Sequence, residues 1–478
     1  DGSALPSWLS FNPVTRSFTG TPTAEFIATL SLLVTVSDGQ DSTSQSFHLD
    51  ITSNVIEERG EDGQLRGSSN HDEILGNSQN DIIFGYDGDD EIYGGSGSDE
   101  LNGGSGADMI DGGEGRDVAY YSSSQSAVTI NLETNINLGG DAQGDILVNV
   151  EKIYGSRYDD VITGDSGDNA LYGNHGDDIL KGNTGDDAIF GGAGSDIIDG
   201  GQGEDIAYYS DSQSAITVNL ETNVNLGGYA QGDSLLNIER ILGSEYDDDI
   251  TGDSHDNVLY GNNGDDTLNG NAGNDAIFGG AGSDIIDGGQ GDDIVYYSSS
   301  KSAVTVNLET NVNLGGDAQG DSVLNIERIL GSVYDDDITG DSRDNVLYGH
   351  HGNDTLNGNA GNDAIFGCEG DDFINGQLGR DTLLGGSGND SFIFDTIMGS
   401  NSASFDTIKD FQQGEDLINI KLSSHGIDSF DDLTITSNAQ TNETIITASD
   451  NINPDNQEDF ELHLTGLIAL DEDDFGWG

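Results

Sequence analysis

A single cysteine, Cys368, stands in 478 residues, so no internal disulfide framework can staple the chain. Basic residues are scarce: 14 lysines and arginines face 89 aspartates and glutamates, for a formal net charge of −75. Such a surface repels phosphate backbones and anionic lipid, which argues against nucleic acid and acidic membranes as partners. No apolar run approaches the roughly 20 residues needed to span a bilayer, and no amino-terminal signal peptide is visible. Catalytic signatures are missing too. There is no G-x-S-x-G elbow, no H-E-x-x-H helix and no P-loop lysine after a glycine run. Chance G-x-G patterns lack the strand-helix context of a dinucleotide fold. With so many acids, carboxylate pairs are unavoidable and support no hydrolase assignment. The expectation is that no catalytic constellation lies within this chain, although an upstream catalytic domain stays open.

What the chain has is glycine, 71 residues of it, arranged with aspartate in strict register. Twenty-five stretches read G-x-x-x-x-[D/N]-x-U-x, with U apolar or Ala, head to tail. Two of them begin Gly94-Gly95-Ser96-Gly97-Ser98-Asp99 and Gly191-Gly192-Ala193-Gly194-Ser195-Asp196. Each nonapeptide divides into a glycine-rich turn and a short strand such as Glu91-Ile92-Tyr93 with one inward apolar side chain. Apolar residues keep phase at Ile74, Ile83, Ile92, Leu101 and Ile110, which a flexible Gly/Asp linker would not do. Two units make one coil, so the sixth-position carboxylate of repeat n lies about 4.8 Å from that of repeat n+2. Bare carboxylates so close repel by about 1 kcal/mol in water and about 3 to 4 kcal/mol at an effective dielectric near 20. A hard divalent cation with six to eight oxygen ligands removes that repulsion, and calcium suits an irregular oxygen cage better than magnesium does. Soft-metal ligands are absent.

The predicted ligands are Asp72, Asp81, Asp90, Asp99, Asp108 and Asp117 in the first array, and Asp160, Asp178, Asp187, Asp196 and Asp205 in the second. Asp248, Asp266, Asp275, Asp284 and Asp293 belong to the third, and Asp336, Asp354, Asp363, Asp372, Asp381 and Asp390 to the fourth. Asn169, Asn257 and Asn345 replace aspartate in the second repeat of later arrays, where sites should be weaker or empty. Sites between repeats n and n+2 would number about 17 before such losses. Without cations, this charge and glycine content belongs with disordered chains, so binding energy becomes folding energy. Extracellular calcium modules bind at about 10⁻⁴ to 10⁻³ M, which places folding outside the cell.

Two periods organise the chain. Residues 67–120 form six nonapeptides; an 88-residue unit then recurs at 121–208, 209–296 and 297–384, each a 34-residue spacer plus six nonapeptides, and the solenoid closes at 393. In the spacers Val128, Ile130 and Leu132 alternate as half-buried strands do, and Asp145, Asp233 and Asp321 fall in a degenerate sixth-position slot. They read as wider coils within a continuous, elongated, monomeric rod. Tyr120-Tyr121, Tyr208-Tyr209 and Tyr296-Tyr297 recur at each junction, where packing outweighs a sugar-stacking role. Lys152, Arg240 and Arg328 share one register and suggest local charge neutralisation; His350-His351 sits on an outward turn. Residues 53–66 read as a charged linker, and the opening at Asp1 in mid-motif suggests a piece of something longer.

The nonapeptides resemble the calcium-binding β-helix repeat of RTX (repeats-in-toxin) proteins. Residues 1–52, with Leu5-Pro6-Ser7-Trp8, Phe18-Thr19-Gly20-Thr21-Pro22 and Val34-Thr35-Val36-Ser37-Asp38-Gly39, resemble the later half of a cadherin-like or Ig sandwich domain. Residues 394–478, with Asp406-Thr407-Ile408-Lys409-Asp410-Phe411, Leu464-Thr465-Gly466-Leu467 and Asp473-Asp474-Phe475, resemble an RTX carboxyl-terminal cap and type I secretion signal. The resemblance implies an all-β fold: a calcium-stapled parallel β-roll (β-solenoid) with a partial β-sandwich before it and a β-rich cap after it. It also implies a bacterial protein, secreted or at the cell surface, exported by type I secretion machinery. Three functions follow: a structural calcium module of an exoprotein or adhesin; the tail of a peptidase, lipase or epimerase whose catalytic domain lies upstream; or a polysaccharide- or ice-binding solenoid with cell-surface or polysaccharide ligands. The irregular third position, running Ser69, Ser78, Asp87, Ser96, Ser105 and Glu114, argues against a flat ice-binding plane.

Overall fold

The computed structural model describes residues 5, 9–12, 17–20, 28–37, 40–51, 54–57, 64–396, 400, 404–448 and 460–477. The chain divides into two units, 1–205 and 206–478. The first opens with two antiparallel hairpins, Leu9–Asn12 on Ser17–Gly20 and Ala28–Ser37 on Ser42–Ile51. The motif residues Pro6, Ser7, Trp8, Thr21, Pro22, Asp38 and Gly39 lie outside the described residues.

From there the strands are parallel and 18 residues apart. Ile82 pairs with Glu100 and Ile92 with Ile110, so alternate nonapeptides lie on opposite faces of one coil. In the first unit the inward residue of each parallel strand from Gln64 on is a small or branched aliphatic, as with Leu65, Ile83, Leu101, Ala119, Ile153 and Leu171 on one face and Ile74, Ile92 and Ile110 on the other, all 3 % exposed or less. In the second unit Ile241, Leu259, Ile277 and Val295 repeat the column. Pairing runs on into the turn, Gly95 opposite Gly113 and Ser96 opposite Glu114, so many strands are six residues long rather than three.

The expected linker at 53–66 is not one where it is described. Asn54–Glu57 pairs in parallel with Asp72–Leu75, and Gln64–Arg66 with 82–84. Leu65 stands 18 residues before Ile83 and is buried, so the aliphatic phase outweighs the charge-rich composition.

The spacers also differ from simple wide coils. One face passes straight through: Val118–Tyr120 pairs with Lys152–Tyr154, and Ile294–Tyr296 with Arg328–Leu330. On the other face the sheet stops and a new one starts. Ile146–Val148 closes the preceding sheet on 109–111, while Thr129–Asn131, earlier in sequence, opens the next on Val161–Thr163. Both exposed edges are covered. Asn135 presents its amide to the edge as a strand would, accepting from Leu147 N–H at 2.9 Å and donating to the Leu147 carbonyl at 2.7 Å. Thr129 and Leu138 exchange two backbone bonds across the other edge. Asn223 and Asn311 accept from Leu235 and Val323 in the same way.

At the carboxyl end Asp406–Ile408 extends one face and Leu417–Ile420 the other, followed by the antiparallel strands Thr434–Asn438, Glu443–Ala448 and Phe460–Thr465. Phe392 and Phe394 lie beneath this cap, buried. Among the described residues no helix is long and apolar enough to cross a membrane.

Candidate metal centre

From the third repeat of each array onward, the sixth-position carboxylate is held by the coil before it. The backbone N–H of Asp72 donates to Asp90 Oδ1 at 2.8 Å, Asp81 to Asp99, Asp90 to Asp108 and Asp99 to Asp117. Asp178, Asp187, Asp196 and Asp205 accept in the same manner from Asp160, Asn169, Asp178 and Asp187. In the second unit the pattern continues through Asp266, Asp275, Asp284 and Asp293. It resumes at Asp354, Asp363, Asp372, Asp381 and Asp390. All these side chains are buried. Register thus spends one oxygen of each carboxylate.

The other oxygen is open. Oδ2 of Asp90, Asp99, Asp108, Asp117, Asp178 and Asp187 is buried without a hydrogen-bond partner. So is Oδ2 of Asp266, Asp275, Asp284, Asp293, Asp354, Asp363, Asp372, Asp381 and Asp390. These atoms face a space shaped by the first-position glycine. A β-carbon on Gly94 would collide with both Asp99 Oδ2 and the Gly112 carbonyl oxygen, and one on Gly270 with Asp275 Oδ2 and the Gly288 carbonyl. Two acceptors converging with no proton between them form a cradle for a hard cation. Among the described residues no three His, Cys, Asp or Glu side chains gather into a site. The chain therefore offers one carboxylate per turn and main-chain carbonyls for the remainder, an oxygen set that fits calcium.

Burial pushes these carboxyls up, with the charges of neighbouring acids adding to it and the backbone N–H bond opposing it. Asp108, Asp178 and Asp363 rise to about 8, and Asp266, Asp275, Asp354 and Asp390 to about 7. An ionised row is costly until a positive charge joins it.

The first two repeats of each array behave differently. Ser68 N–H and its hydroxyl donate to Asp72 Oδ2 at 2.5 and 2.8 Å, and Asn77 N–H to Asp81 Oδ2 at 2.8 Å. Ser156, Ser244 and Ser332 close Asp160, Asp248 and Asp336 in the same way. The oxygens of Asn169, Asn257 and Asn345 accept from Asp165, Asp253 and Asp341 N–H. Second-position residues of these repeats keep ordinary backbone geometry; from the third repeat onward they turn left-handed, as at Gly95 (φ 108°), Asn174 (φ 73°) and Asn262 (φ 78°), and the capping bond is lost.

Sequence reasoning also passed over the fifth position. Asp89 Oδ1 accepts from Ala107 N–H, Asp159 from Asp177 and Asp265 from Ser283, so these exposed acids tie successive turns together from outside. Glu151 and Glu327 take the place of aspartate where an array ends, accepting from Asp117 and Asp293 N–H. Beneath the cap, Asp406 and Asp416 accept from Asp381 and Asp390.

The junction tyrosines divide their work. Tyr121 is buried and donates to Asp145 Oδ2 at 2.8 Å. Tyr120 faces outward and stacks on Tyr154 (4.8 Å), which continues to Tyr172 (4.1 Å) and Phe190 (4.0 Å). Because the rings cover each other's faces, this ladder offers little for sugar stacking. Lys152 lies over Tyr154 and Tyr172, and Arg240 donates to the Tyr260 hydroxyl, so these bases meet aromatic groups. His350 Nδ1 meets the Ser332 carbonyl and His351 meets Glu369; the two serve the turns individually.

Family models match the nonapeptide arrays and both ends of the chain. The family model of the RTX calcium-binding nonapeptide repeat (four copies) matches residues 66–101, 87–119, 150–180, 172–207, 237–268 and 260–295. The family described as "Putative Ig domain" matches residues 1–52, and Peptidase M10 serralysin C terminal matches 323–475. No curated protein is significantly similar. Among solved structures, the AlgE6R2 subunit of the Azotobacter vinelandii mannuronan C5-epimerase is 23% identical over 29% of this chain and 89% of its own, with a TM-score of 0.24. The AlgE6R3 subunit of the same enzyme is 28% identical over 30% and 80%, TM-score 0.19. The extracellular lipase LipA from Serratia marcescens is 18% identical over 50% and 40%, TM-score 0.17. The chain carries RTX calcium-binding nonapeptide repeats, between a segment similar to an Ig domain and a carboxyl-terminal region similar to that of serralysin.

Proposed function

We propose that this chain is the calcium-binding structural module of a secreted or surface bacterial exoprotein, disordered without calcium and folded by extracellular calcium after type I secretion. The open Oδ2 atoms carry this reading. They are buried acceptors facing other acceptors, a state that the chain's own hydrogen-bond donors leave unmet. When bound, the ion supplies the positive charge that an ionised row lacks. Sixth-position aspartates hold it, glycine carbonyls complete the cage, and aliphatic columns bury themselves as the coils close. About 17 ions would fill the four arrays. No catalytic step is assigned to residues of this chain; any activity belongs to a parent protein.

The test is circular dichroism of the whole chain. Chelator should abolish the β signal and millimolar calcium should restore it, whereas a fully folded chelated protein would refute the coupling. For export, deletion of residues 394–478 should abolish appearance in the medium of cells carrying a type I apparatus, and undiminished export would remove that role from the cap.

A further inference from the structure

Where a row runs into a spacer, the spacer's own carboxylate has both oxygens taken, as at Asp145 and Asp321. Asp145 Oδ1 accepts from Asp108 N–H and Asp321 Oδ1 from Asp284 N–H, each at 2.9 Å, as a row member would. The second oxygen, open inside the rows, is here taken by a phenol. Tyr121 donates to Asp145 Oδ2 at 2.8 Å, Tyr209 to Asp233 at 3.0 Å and Tyr297 to Asp321 at 2.9 Å. These three tyrosines are at most 2 % exposed and rank among the largest fully buried side chains. On the far side of each spacer come the two closed repeats, capped by Ser156, Ser244 or Ser332 and by the N–H groups of Asp165, Asp253 or Asp341.

We propose that Tyr121, Tyr209 and Tyr297 are protein-borne stand-ins for a cation, and that each junction thereby ends the calcium rows, so that ions load in four separate cassettes. This rests on the reading of the open oxygens as calcium ligands. Within a row, an ion orders the coil that forms the next site, so ions in one cassette help each other through folding. Across a junction, the strand after Asp117 is followed on the same face by those after Glu151, Asn169 and Asp187. Those three spacings come to about 14 Å. The intervening Glu151 and Asn169 accept hydrogen bonds from the chain itself, so no ion is needed to order the coils between the two rows. Help between cassettes is therefore cut off.

Two measurements on the full chain test this. The first empties one cassette with Asp266→Asn, Asp275→Asn, Asp284→Asn and Asp293→Asn, which keep the Oδ1 acceptor, and follows calcium binding by titration calorimetry. Bound calcium should fall by that cassette's share while the midpoint of the remaining sites moves less than twofold; a larger shift shows coupling through the junctions and overturns the proposal. The second compares the Y121F/Y209F/Y297F variant with the parent chain. Loss of the hydroxyls leaves Asp145, Asp233 and Asp321 open, and bound calcium should rise by up to one ion per junction. An unchanged stoichiometry removes the stand-in role. Absence of any calcium binding in the parent chain would instead defeat the proposed function itself.

Discussion

The opening repeats of an array and its later repeats share a motif and a register yet differ in one peptide. At Ser156 and Asp165 the N–H points at the sixth-position side chain and closes it; at Asn174 and Asn183 the backbone is left-handed and the bond is gone. Side chains that dislike that region are held in it later on, His350 at φ 89° and Cys368 at φ 82°. Such strain costs on the order of 1 to 3 kcal/mol per residue. A turn can thus satisfy its carboxylate from within, or accept strain and leave it for a cation, and the second position decides which.

The most drastic way to sharpen this contrast is to withdraw the metal. Hydrogen exchange in chelator should show amides of the open repeats, such as those of Ile110 and Ile286, losing protection by several orders of magnitude. pH then probes the same rows. A carboxyl raised above its ordinary value stabilises the metal-free fold below that ordinary value and loses the contribution as pH climbs through the raised one. With groups raised to about 7 and about 8, as at Asp266 and Asp178, chelated protein should regain β signal on acidification from pH 8.5 to 5. In calcium the sign reverses, because protons compete for the same oxygens and affinity should fall over that range.

Fourth-position glycines give the next largest effect. A β-carbon on Gly291 (φ 152°) would strike the Gly273 carbonyl, whereas Gly167, in a closed repeat, has only Asp165 Oδ1 nearby at 3.4 Å. Gly291→Ala should destabilise the calcium-loaded chain by about 3 kcal/mol or more and Gly167→Ala by less than about 0.5, read as shifts in unfolding midpoint. His255 and Arg343 already occupy the place that Gly167 holds in its array. Last, Ser244→Ala removes the hydroxyl bond to Asp248 Oδ1 and should cost about 1 kcal/mol without changing the number of ions bound, measured by denaturation and calcium titration. A drop in stoichiometry would show that closed repeats bind metal after all.

Much of this was legible in the spacing. A period of 18 residues per coil placed Ile74, Ile92 and Ile110 in one column and stacked Asp72, Asp90 and Asp108, because strand periodicity and the two-face coil leave little choice. Which carboxylates stay open was not legible, since it depends on peptide orientation at a position that looks merely variable: Ser68 reads like any turn serine until its N–H is seen on Asp72. Tyr121 was singled out by recurrence, but its hydroxyl partner 24 residues away follows from a spacer path that no local pattern encodes. The strand at 54–57 was hidden by the charged residues around it, and the fifth-position acids by the abundance of acid everywhere.

Edges covered by Asn135, Asn223 and Asn311 bear on how such a chain can change in length. A block that finishes its own sheets and neutralises its own boundary can be copied or deleted whole, with no ragged border to repair. Growth by duplication then needs no compensating substitution elsewhere, and the close similarity of successive 88-residue blocks is the form that such growth takes.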